Sequence, residues 1–536
     1  MNILFALYAD FNSNSANPIF LYARELRLAG HNCAVAVPSG LETASQYDSP
    51  AFRPILFEEV LSAPELTFPD GRPADVIHAC TPREVVRRFI TPYMAQRPTP
   101  LVIFLEDNEE WLATRALGLE KAGLYRCTQQ EIAERLPDGH AHPFYYKGFV
   151  GLADAVAVIQ EKLKVEVPSW VPCETVMIGV DLDLFAPRPP DPSLRTRYRV
   201  GENERVIVYH GGMNGYTRPG IETLCNAVGL INQKGYPCRL LRSGPIALDF
   251  LEHMPHETAS AISDLGVLRK EELPDLLALA DVFVQPGKND PFEDLRLPGK
   301  LPEFLAMGRP VVMPDTNIAH LFKDDLDAII LRSGGAEEIA EKCIDLFSDP
   351  HRAETIGRAG RALAEKYFDC RNQARRLEGV YKTACSNFNP AIASEVWRYK
   401  GGYAPVSRML AHKLRLLADD YPIKDGIDAG EMLKEHARYI ELMQRRVDGL
   451  EYTVHERDGR IASLNQTVAD RDGQIVSLNG AVAEREGQIA HLNQAVAERD
   501  KQIATILSST SWRITSPLRS AKHQIRRLLR FFGAKG

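Results

Sequence analysis

Long apolar runs are missing from this sequence. No stretch of about 18 apolar residues, the length that a membrane-spanning helix needs, occurs in the chain. The first residues, NILFALY, are apolar, but no basic segment precedes them and the run breaks at Asp10. They predict a buried first strand rather than a signal peptide, so we expect a cytoplasmic protein.

Paired cysteines and a strong charge imbalance are also missing. The nine cysteines are scattered, and no two of them form a CxxC motif or another metal-ligand spacing. This pattern is typical of reduced thiols and favours neither a disulfide framework nor a zinc site. The formal net charge of −7 argues against nucleic acid as the main partner of the globular part.

Two successive regions have the pattern of a parallel sheet covered by helices. A chain of 536 residues is too long for one hydrophobic core, so at least two folding units are expected. Residues 1–185 alternate short apolar runs with helical patterns, the first of them from about Ile19 to Ala29. This alternation is typical of a doubly wound α/β domain. The predicted strands are NILFALY, CAVAVP, DVIHAC, PLVIFLE and DAVAVI.

The same pattern repeats in residues 186–385 and predicts a second doubly wound domain. Its predicted strands are RVIVYHG, CRLLRSG, LGVL, DVFVQP and RPVV. Helices are expected after Pro219, over ELPDLLALA and at Glu303. The predicted fold class is therefore α/β, with two tandem Rossmann-like domains.

The motif LPEFLAMG, residues 301–308, is the most informative part of the chain. It places the carboxylate of Glu303 at the start of a helix that follows a loop with proline and glycine. The first amides of a helix lack internal partners and its dipole favours negative charge, so such a strand–loop–helix junction forms an anion site. Lys300 adds a cation there. The alternative is that Glu303 only complements the helix dipole.

This motif resembles the donor-binding segment of retaining glycosyltransferases of the GT-B fold, family 4. The family's glutamate grips the ribose hydroxyls of the nucleotide, so the resemblance assigns that role to Glu303. The segment VMIGVDLDLFAP is similar to the family's interdomain segment at Gly179, Val180, Asp181 and Phe185, although an ordinary turn is the alternative. The resemblance implies a cleft between two domains, a nucleotide-sugar donor and a metal-independent reaction without a cofactor.

The loop YHGGMNGYTRPG is the expected phosphate site of the donor. Gly211 and Gly212 follow a predicted strand and let the backbone approach a phosphate closely. Arg218 is the nearby cation, and Asn214 is a further donor-binding candidate.

Two residues depart from the family's pattern. Met213 stands where the family usually has an arginine, so we expect a replacing cation from Lys300 or Arg296. Leu295 stands where the first carboxylate of the usual pair of glutamates is expected. The contacts to the sugar are then expected from neighbouring carboxylates, Glu293 and Asp294.

Acidic residues follow a strand of the first domain. The run PLVIFLEDNEEW puts Glu106 and Asp107 at the carboxyl end of that strand, where open α/β sheets place ligands. Relatives often carry a His-Asp pair there, so Asp107 and Glu106 are the catalytic candidates implied by the resemblance. An acidic loop in solvent is the alternative. Asn14 and Asn17 are weaker candidates for the acceptor side, and His210 is one for the donor side.

Apolar residues recur every seven positions over residues 433–507, which predicts a coiled coil. The a positions from Leu433 to Ile503 are all apolar, and leucine alternates with arginine at most d positions. β-branched a residues with leucine at d favour a parallel dimer, and the arginine layers leave a trimer possible. We expect acidic e residues to pair with these arginines across helices and fix the register: Asp472, Glu486 and Asp500 with Arg471, Arg485 and Arg499.

The remaining segments are a connector, residues 386–432, and a basic tail, residues 508–536. The connector carries no recognisable chemistry. The tail SWRITSPLRSAKHQIRRLLRFFGAKG has no acidic residue and combines arginines with bulky apolar residues, which is typical of a helix at a membrane surface. A helix that docks on a partner protein or a solvated end are the alternatives. SWRITSPLR also resembles the tails of bacterial surface-polysaccharide glycosyltransferases with coiled coils.

These features predict a retaining glycosyltransferase that moves a sugar from a nucleotide diphosphate sugar to a lipid-linked bacterial surface glycan such as O-antigen. Further expected partners are other copies of the chain and the inner face of the cytoplasmic membrane or polysaccharide-synthesis proteins. Two alternatives stay open: a catalytically degenerate head on a scaffolding rod, for which Met213 and Leu295 argue, and a nucleotide-sugar epimerase, which would need no membrane tail.

Overall fold

A computed structural model describes residues 1–47, 50–124, 126–245, 250–398, 406–419 and 429–532. The chain forms two compact units, Met1–Gln444 and Arg445–Gly536, and each is described by itself.

The first sheet of the larger unit is parallel, and among the described residues its strand order is β3-β2-β1-β4-β5-β6-β7. Its central strands are buried on both faces, as expected for a sheet with helices on both sides. The strands are β1 Asn2–Leu7, β2 Asn32–Val37, β3 Arg53–Leu56, β4 Val76–Cys80, β5 Leu101–Leu105, β6 Ala155–Val158 and β7 Cys173–Thr175. The helices are α1 Ala16–Leu28, α2 Phe57–Ser62, α3 Glu84–Gln96, α4 Glu109–Leu117, α5 Lys121–Leu124, α6 Gln129–Arg135, α7 Tyr146–Leu152 and α8 Pro192–Arg197.

The second sheet repeats this arrangement, and in the described ranges its strand order is β10-β9-β8-β11-β12-β13. Its strands are β8 Arg205–His210, β9 Cys238–Ser243, β10 Ile262–Asp264, β11 Val282–Val284, β12 Val311–Pro314 and β13 Ile329–Leu331. The accompanying helices are α9 Arg218–Gln233, α10 His256–Ser260, α11 Leu273–Ala278, α12 Leu301–Ala306, α13 Ala336–Ser348, α14 Pro350–Tyr367 and α15 Cys370–Asn387. The predicted fold class of two doubly wound domains is confirmed.

One predicted strand is misplaced, and three short strands were not predicted. The run LGVL was expected in the sheet, but the strand is Ile262–Asp264 and the side chain of Val267 is 74% exposed. Apolar character alone did not distinguish a strand from the loop behind it. The unpredicted strands β3, β7 and β13 have four, three and three residues, too few for a periodic pattern.

The segment between the two sheets makes a close backbone contact with the end of the second region. Val180 forms a parallel bridge with Asp369. A Cβ on Gly179 would lie only 2.7 Å from Cα of Cys370, so a larger residue does not fit there. Asp181 caps the following turn by accepting from the backbone N–H groups of Asp183 and Leu184. These contacts explain the conspicuous Gly-Val-Asp run in structural terms.

The chain returns to the first sheet after the second. Helix α15, which the prediction included in the second domain at 186–385, packs on α1 and on the strands β4 to β7. The Tyr381 hydroxyl lies 2.8 Å from Nδ1 of the buried His78 in β4. The described parts of the connector, helices α16 Pro390–Trp397 and α17 Val406–Asp419, also pack on this domain, against α3 and α7. Residues 399–405 and 420–428 of the connector lie outside the described residues.

A long helix, α18 Ala429–Ser508, spans the predicted coiled-coil region. It is followed by α19 Thr510–Ile514 and α20 Ser516–Phe532 in the predicted tail. No helix in the part of the chain that the structure describes is both long and apolar enough to cross a membrane. Some predicted coiled-coil positions have side chains outside the described residues, namely Leu433, Met443, Val447, Leu450 and Val454.

Candidate functional site

The second sheet reverses its strand order between β8 and β11, and the loops after these two strands lie side by side. β8 leads into the loop 211–217, and β11 leads into the loop 285–300. Ligands of open α/β sheets bind outside the carboxyl ends of the strands at such a switch point. Most residues proposed from the sequence for donor binding lie on these two loops or at the helices that follow them.

Glu303 faces the end of β8. Its Oε2 atom lies 2.7 Å from Nε2 of His210, and both side chains are mostly buried, with 19% and 14% exposed. The ring of His210 packs edge-on against Phe304, which stacks on Phe283 of β11. The imidazole of His210 therefore lies beside one carboxylate oxygen of Glu303, and the other oxygen is available to a ligand.

Lys300 packs directly on Gly211. Its Nζ lies 4.9 Å from the centre of the Tyr209 ring, and its side chain crosses the glycine. Gly211 has φ of +132°, and a Cβ there would lie 2.8 Å from Cε of Lys300. A glycine is therefore required for both the backbone conformation and the close approach of the lysine. This arrangement brings a cation to the backbone of the predicted phosphate loop.

Other residues of the predicted phosphate loop have structural partners. The side-chain oxygen of Asn214 accepts from the backbone N–H groups of Tyr216 and Thr217 and so shapes the turn into α9. Nε of Arg218 lies 2.8 Å from Glu222 one helical turn further along. Gly212 lies against Pro245 with ordinary van der Waals space around it. Gly211 and Gly212 therefore lie on the loop near the switch point, as predicted. The side chains of Asn214 and Arg218 instead contact residues of α9 and of the turn before it.

Arg242 is a site residue that the sequence analysis missed. It lies at the end of β9, its side chain is fully buried, and it pairs with Asp264 at 2.8 Å. Its guanidinium also donates to the carbonyl oxygens of Gly211, Gly244 and Pro245. Arg242 therefore holds the backbone of the phosphate loop in place through its hydrogen bond to the Gly211 carbonyl oxygen. Its sequence signal is weak, since the strand CRLLRS carries a second arginine, Arg239, and only Arg242 is fully buried.

The loop after β11 explains why leucine stands at the position of the expected carboxylate. Leu295 packs against the hydrophobic core. Glu293 instead pairs with Arg296 at 3.1 Å, and burial raises its pKa above the ordinary value. Asp294 points towards the first domain and forms an ion pair with Lys162. Its carboxylate also accepts a hydrogen bond from the backbone N–H of Asn317 in the second domain. Of the two replacement carboxylates proposed from the sequence, only Glu293 lies in the cavity described next.

A cavity lies between the two loops and the first domain. The second domain contributes most of its lining, and Trp111 and Arg115 of α4 close it from the other side. Polar and aromatic side chains alternate around it: Tyr209, Tyr216, Gln285, Lys288, Asp290, Phe292, Glu293 and Arg296. Such a lining, with a few convergent polar groups among aromatic rings, suits a sugar.

Aromatic rings connect the two domains at this cavity. Trp111 stacks on Phe292 with ring centres 4.1 Å apart, and Tyr216 lies 5.6 Å from Trp111. Nearby, the side-chain amide of Gln160 donates to the backbone oxygen of Asp294. The loop that carries Glu293 and Arg296 is therefore attached to both domains. Sequence reasoning missed these rings because each is an unremarkable residue in its own segment.

Lys270 is a second missed cation, and it lies where the two domains face each other. Its Nζ lies 5.6 Å from the centre of the Phe20 ring of α1. Burial lowers its pKa, and the negative charge of Glu303 acts in the opposite direction. A lysine from the second domain thus reaches the first domain close to the predicted donor carboxylate.

Glu106 lies at the carboxyl edge of the first sheet and is buried. It accepts a 2.5 Å hydrogen bond from the Ser15 hydroxyl at the start of α1, and its other carboxylate oxygen, among the described atoms, has no hydrogen-bond partner. Burial raises its pKa from 4.5 to about 7, and the Ser15 hydrogen bond opposes this shift. A carboxyl group with this pKa exchanges protons near neutral pH.

Arg83 is the counterion of this acidic edge and was also missed from sequence. It follows β4, is nearly fully buried and lies 3.3 Å from both Asp107 and Glu109. Its guanidinium also covers the Tyr8 ring at 4.0 Å. The acidic loop is therefore not solvated freely, as the alternative interpretation held, but is organised around an arginine. No group of three or more potential metal ligands occurs within the described ranges.

Comparison with known proteins finds similarity to glycosyltransferases. Residues 204–349 match the family described as "Glycosyl transferases group 1". A GDP-mannose-dependent monoacylated alpha-(1-6)-phosphatidylinositol monomannoside mannosyltransferase from Corynebacterium glutamicum is 23% identical over 210 residues, which are 38% of this chain and 55% of that protein. The sulfoquinovosyl transferase SQD2 of Arabidopsis thaliana is 29% identical over 195 residues, 35% of this chain and 36% of that protein. The chain spans about half or less of the length of these relatives.

Solved structures extend the likeness to both domains. Anabaena HepE in complex with UDP and glucose aligns with a TM-score of 0.53 at 15% identity and covers 71% of this chain and 99% of its own. Sucrose-phosphate synthase from Thermosynechococcus elongatus aligns with a TM-score of 0.56 at 16% identity and covers 72% of this chain and all of its own. The larger unit therefore has the GT-B fold, and residues 204–349 of its second domain are similar to glycosyl transferases group 1.

Proposed function

We propose that this chain is a retaining glycosyltransferase that moves a sugar from a nucleotide diphosphate sugar to a glycan acceptor. The observation that carries the proposal is the juxtaposition of Glu303, Lys300 and the Gly211 backbone at the switch point of the second sheet. The match of residues 204–349 to glycosyl transferases group 1 supports the same conclusion.

In this proposal the second domain binds the donor. One oxygen of Glu303 accepts the ribose hydroxyls, while the other oxygen lies 2.7 Å from Nε2 of His210. Lys300 and the phosphate-loop backbone neutralise the diphosphate as the bond to the sugar breaks and negative charge collects on the leaving group. Arg242 keeps the Gly211 carbonyl turned away from the phosphates and so preserves the backbone conformation that binds them.

The sugar of the donor fits the neighbouring cavity. Glu293 and Arg296 supply an acceptor and a donor of hydrogen bonds, and Trp111 closes the cavity from the first domain. This placement replaces the missing first carboxylate of the family's motif by Glu293, two residues earlier than Leu295. The carboxyl edge of the first domain then faces the acceptor, where Glu106 is able to take or release a proton near neutral pH.

We propose a lipid-linked surface glycan of the O-antigen type as the acceptor. Helix α20 supports this assignment, since its described side chains combine exposed apolar residues with a basic surface. Leu518 is 72% and Ile525 is 55% exposed, and Arg519, Lys522 and Arg526 lie on the same helix. A helix of this kind binds anionic lipid through apolar insertion and charge, which would hold a cytoplasmic enzyme at the inner face of the membrane. The rod before it would join copies of the chain.

Nucleotide binding by the full-length chain tests the central claim. Isothermal titration calorimetry with UDP, GDP, dTDP and ADP should give tight binding of one nucleotide. Glu303→Gln should weaken that binding by roughly 30- to 100-fold, the cost of one charge-assisted hydrogen-bonded contact. Glu354→Gln, an exposed carboxylate of α14 in the same domain, is the matched control and should bind like the unchanged chain.

Other results would point elsewhere. No binding of any nucleotide by the folded chain would contradict the donor site and favour a scaffolding head. An epimerised nucleotide sugar formed from the donor without acceptor would favour an epimerase. Retention is tested by NMR of the anomeric linkage in the product, and an inverted linkage would overturn that part of the proposal.

A further inference from the structure

We infer that the rod joins two copies of this chain as a parallel, in-register, two-stranded coiled coil, whose direction is set by arginine–carboxylate pairs between the copies. The inference rests on the oligomeric rod of the proposed function, and it argues the expected parallel pairing through to one direction, one register and one strand number. The argument uses residues 461–507 of α18, where the side chains at the a, d and e positions are described.

An uncovered apolar stripe runs along this part of α18. Its a and d side chains are about half exposed or more, from 52% at Ile503 to 65% at Leu478. The exposed residues recur at heptad spacing and therefore lie on one side of the helix. The stripe comprises Ile461, Leu464, Val468, Ile475, Leu478, Val482, Ile489, Leu492, Val496, Ile503 and Ile506. A stripe of this length needs a partner of matching length.

The arginines in this stripe have no acidic neighbour on their own helix. Residues three and four positions away face a helical residue, and around Arg471 these are Thr467, Val468, Gln474 and Ile475. The positions around Arg485 and Arg499 are likewise apolar or uncharged. Within the described part of this helix, none of the three arginines is in an ion pair.

The acidic residues beside them are equally isolated. Asp472, Glu486 and Asp500 each follow an arginine directly, but adjacent residues point away from each other on a helix. Their neighbours at three and four positions are alanine, valine or isoleucine. Both members of each charge set therefore lack a counterion along the helix, and a second chain is the source that supplies both.

Only a parallel arrangement of the two helices supplies counterions to both the arginines and the carboxylates. In a parallel dimer the d layer is flanked by the e residues of the other helix, so each arginine meets a carboxylate of the second copy and the two-fold axis repeats the pair. In an antiparallel dimer d residues face a residues, and e residues face each other. The arginines would then face valine or isoleucine, and carboxylates would gain no cation.

The alternation of layers also selects the register. Leucine layers at Leu464, Leu478 and Leu492 separate the arginine layers and are followed by asparagine at e. A shift of seven residues would therefore place each arginine opposite leucine and asparagine. β-branched a residues with leucine at the intervening d layers favour two strands over three.

Disulfide trapping tests direction and register in the full-length chain. Leu492→Cys, made in a Cys385→Ser background to remove the exposed thiol, should cross-link to the same position of a second copy under mild oxidation. Gly487→Cys on the outer surface of the heptad is the control and should not cross-link. Peptide mapping that joins position 492 to any other position, or no cross-link in a chain that light scattering shows to be dimeric, would overturn the inference.

Charge exchange tests the pairs themselves. Reversal of Arg471, Arg485 and Arg499 to Glu should shift the chain from dimer to monomer in light scattering, and so should reversal of Asp472, Glu486 and Asp500 to Arg. The two variants, mixed with different tags, should recover a heterodimer because every pair is then complementary. Reversal of the outer acids Asp470, Glu484 and Glu498 to Arg changes the net charge equally and should leave the dimer intact.

The outcomes separate this inference from the proposed function. An unchanged chain that is monomeric at micromolar concentration would overturn the oligomeric rod itself. A trimeric mass would overturn the two-stranded arrangement, and a dimer that ignores charge reversal would overturn the pairs. Nucleotide binding to the head is independent of all three results.

Discussion

The two sheets of the larger unit share one strand order, yet the arginines at their carboxyl edges are used in opposite ways. Arg83 of the first domain is buried among carboxylates, with Asp107 and Glu109 at 3.3 Å. Arg242 of the second domain is buried among backbone carbonyls and has one carboxylate, Asp264. The first arrangement balances charge, whereas the second fixes the conformation of a loop.

This difference shows that topology places a site but does not choose its chemistry. Both sheets put their loops at a switch point because the strand order is the same. The first edge has titratable groups around a fixed cation, which suits proton exchange with an acceptor. The second has a rigid backbone next to Lys300 and Glu303, which suits an anionic nucleotide.

The largest effect is expected from the buried arginine of the second domain. Arg242→Met leaves Asp264 without its counterion and several carbonyls without donors, so the free energy of unfolding should fall by about 3 to 5 kcal/mol. Urea denaturation followed by fluorescence measures this change. Nucleotide binding should also be lost, since the Gly211 backbone is no longer held.

A matched control lies three residues earlier on the same strand. Arg239 pairs with Glu204 near the surface, and Arg239→Met should cost only about 1 kcal/mol. Equal losses for both variants would mean that Arg242 acts as an ordinary ion-pair partner rather than as the support of the loop.

The acidic edge of the first domain should give a pH-dependent effect of up to about 3 kcal/mol, as expected for a pKa shift from 4.5 to about 7. The folded state binds the Glu106 proton more tightly than the unfolded state, so this stabilisation is present below pH 4.5 and is lost as the pH rises through 7. Glu106→Gln keeps an acceptor for Ser15 and removes the penalty. The variant should therefore exceed the unchanged chain in stability at pH 8 and match it near pH 4.5.

Denaturation curves between pH 4.5 and 8 measure this difference. Glu58→Gln, at an exposed carboxylate of the same domain, is the control for the removal of one negative charge. A stability gain of Glu106→Gln that is constant across the range would rule out titration as its cause.

The two glycines of the phosphate loop should differ from each other. Gly211→Ala introduces a Cβ at positive φ and 2.8 Å from Cε of Lys300, which should cost about 1 to 3 kcal/mol and weaken nucleotide binding at least tenfold. The nearest atom to a Cβ on Gly212 is 3.7 Å away, so Gly212→Ala should be tolerated. Thermal unfolding and calorimetry compare the two, and a more damaging Gly212→Ala would contradict the assigned geometry.

The smallest effect is expected from the contact between the domains at Lys162. Both Lys162 and Asp294 are about one third exposed, with 37% and 34% of their side chains accessible, so Lys162→Met should cost less than about 1 kcal/mol. Asp294→Ala should cost more, because Asp294 also accepts from Thr316 and from the Asn317 backbone. The decrease in melting temperature measures the stability loss of each variant. A larger loss for Lys162→Met than for Asp294→Ala would show that the ion pair is the main stabilising contact between the domains here.

The sequence predicted the parts of the fold and the site that depend on local pattern. Buried parallel strands have nearly continuous apolar runs, so β1, β2, β4, β5 and β6 were found together with the doubly wound class. The motif around Glu303 also follows from a local pattern, since loop and helix residues are adjacent in the chain. The heptads of α18 are another periodic signal, and they were recognised because the repeat is contained in one continuous segment.

The remaining features depend on residues that are far apart in sequence. Arg242 and the Trp111–Phe292 stack come together only when strands and domains are assembled. The return of α15 to the first sheet and the packing of Leu295 against the core have no local signature either. Short strands such as β7 and β13 have too few residues for a period to appear.

The sequence by itself determined the kinds of elements, the place of the predicted donor carboxylate and the repeat of the rod, because hydrophobic periodicity and loop chemistry act over a few residues. The tertiary structure decided which charges are buried, which carboxylate lines the cavity and how the two domains meet. Burial and ion pairing depend on distances across the fold, and these are set only when separate segments pack against one another.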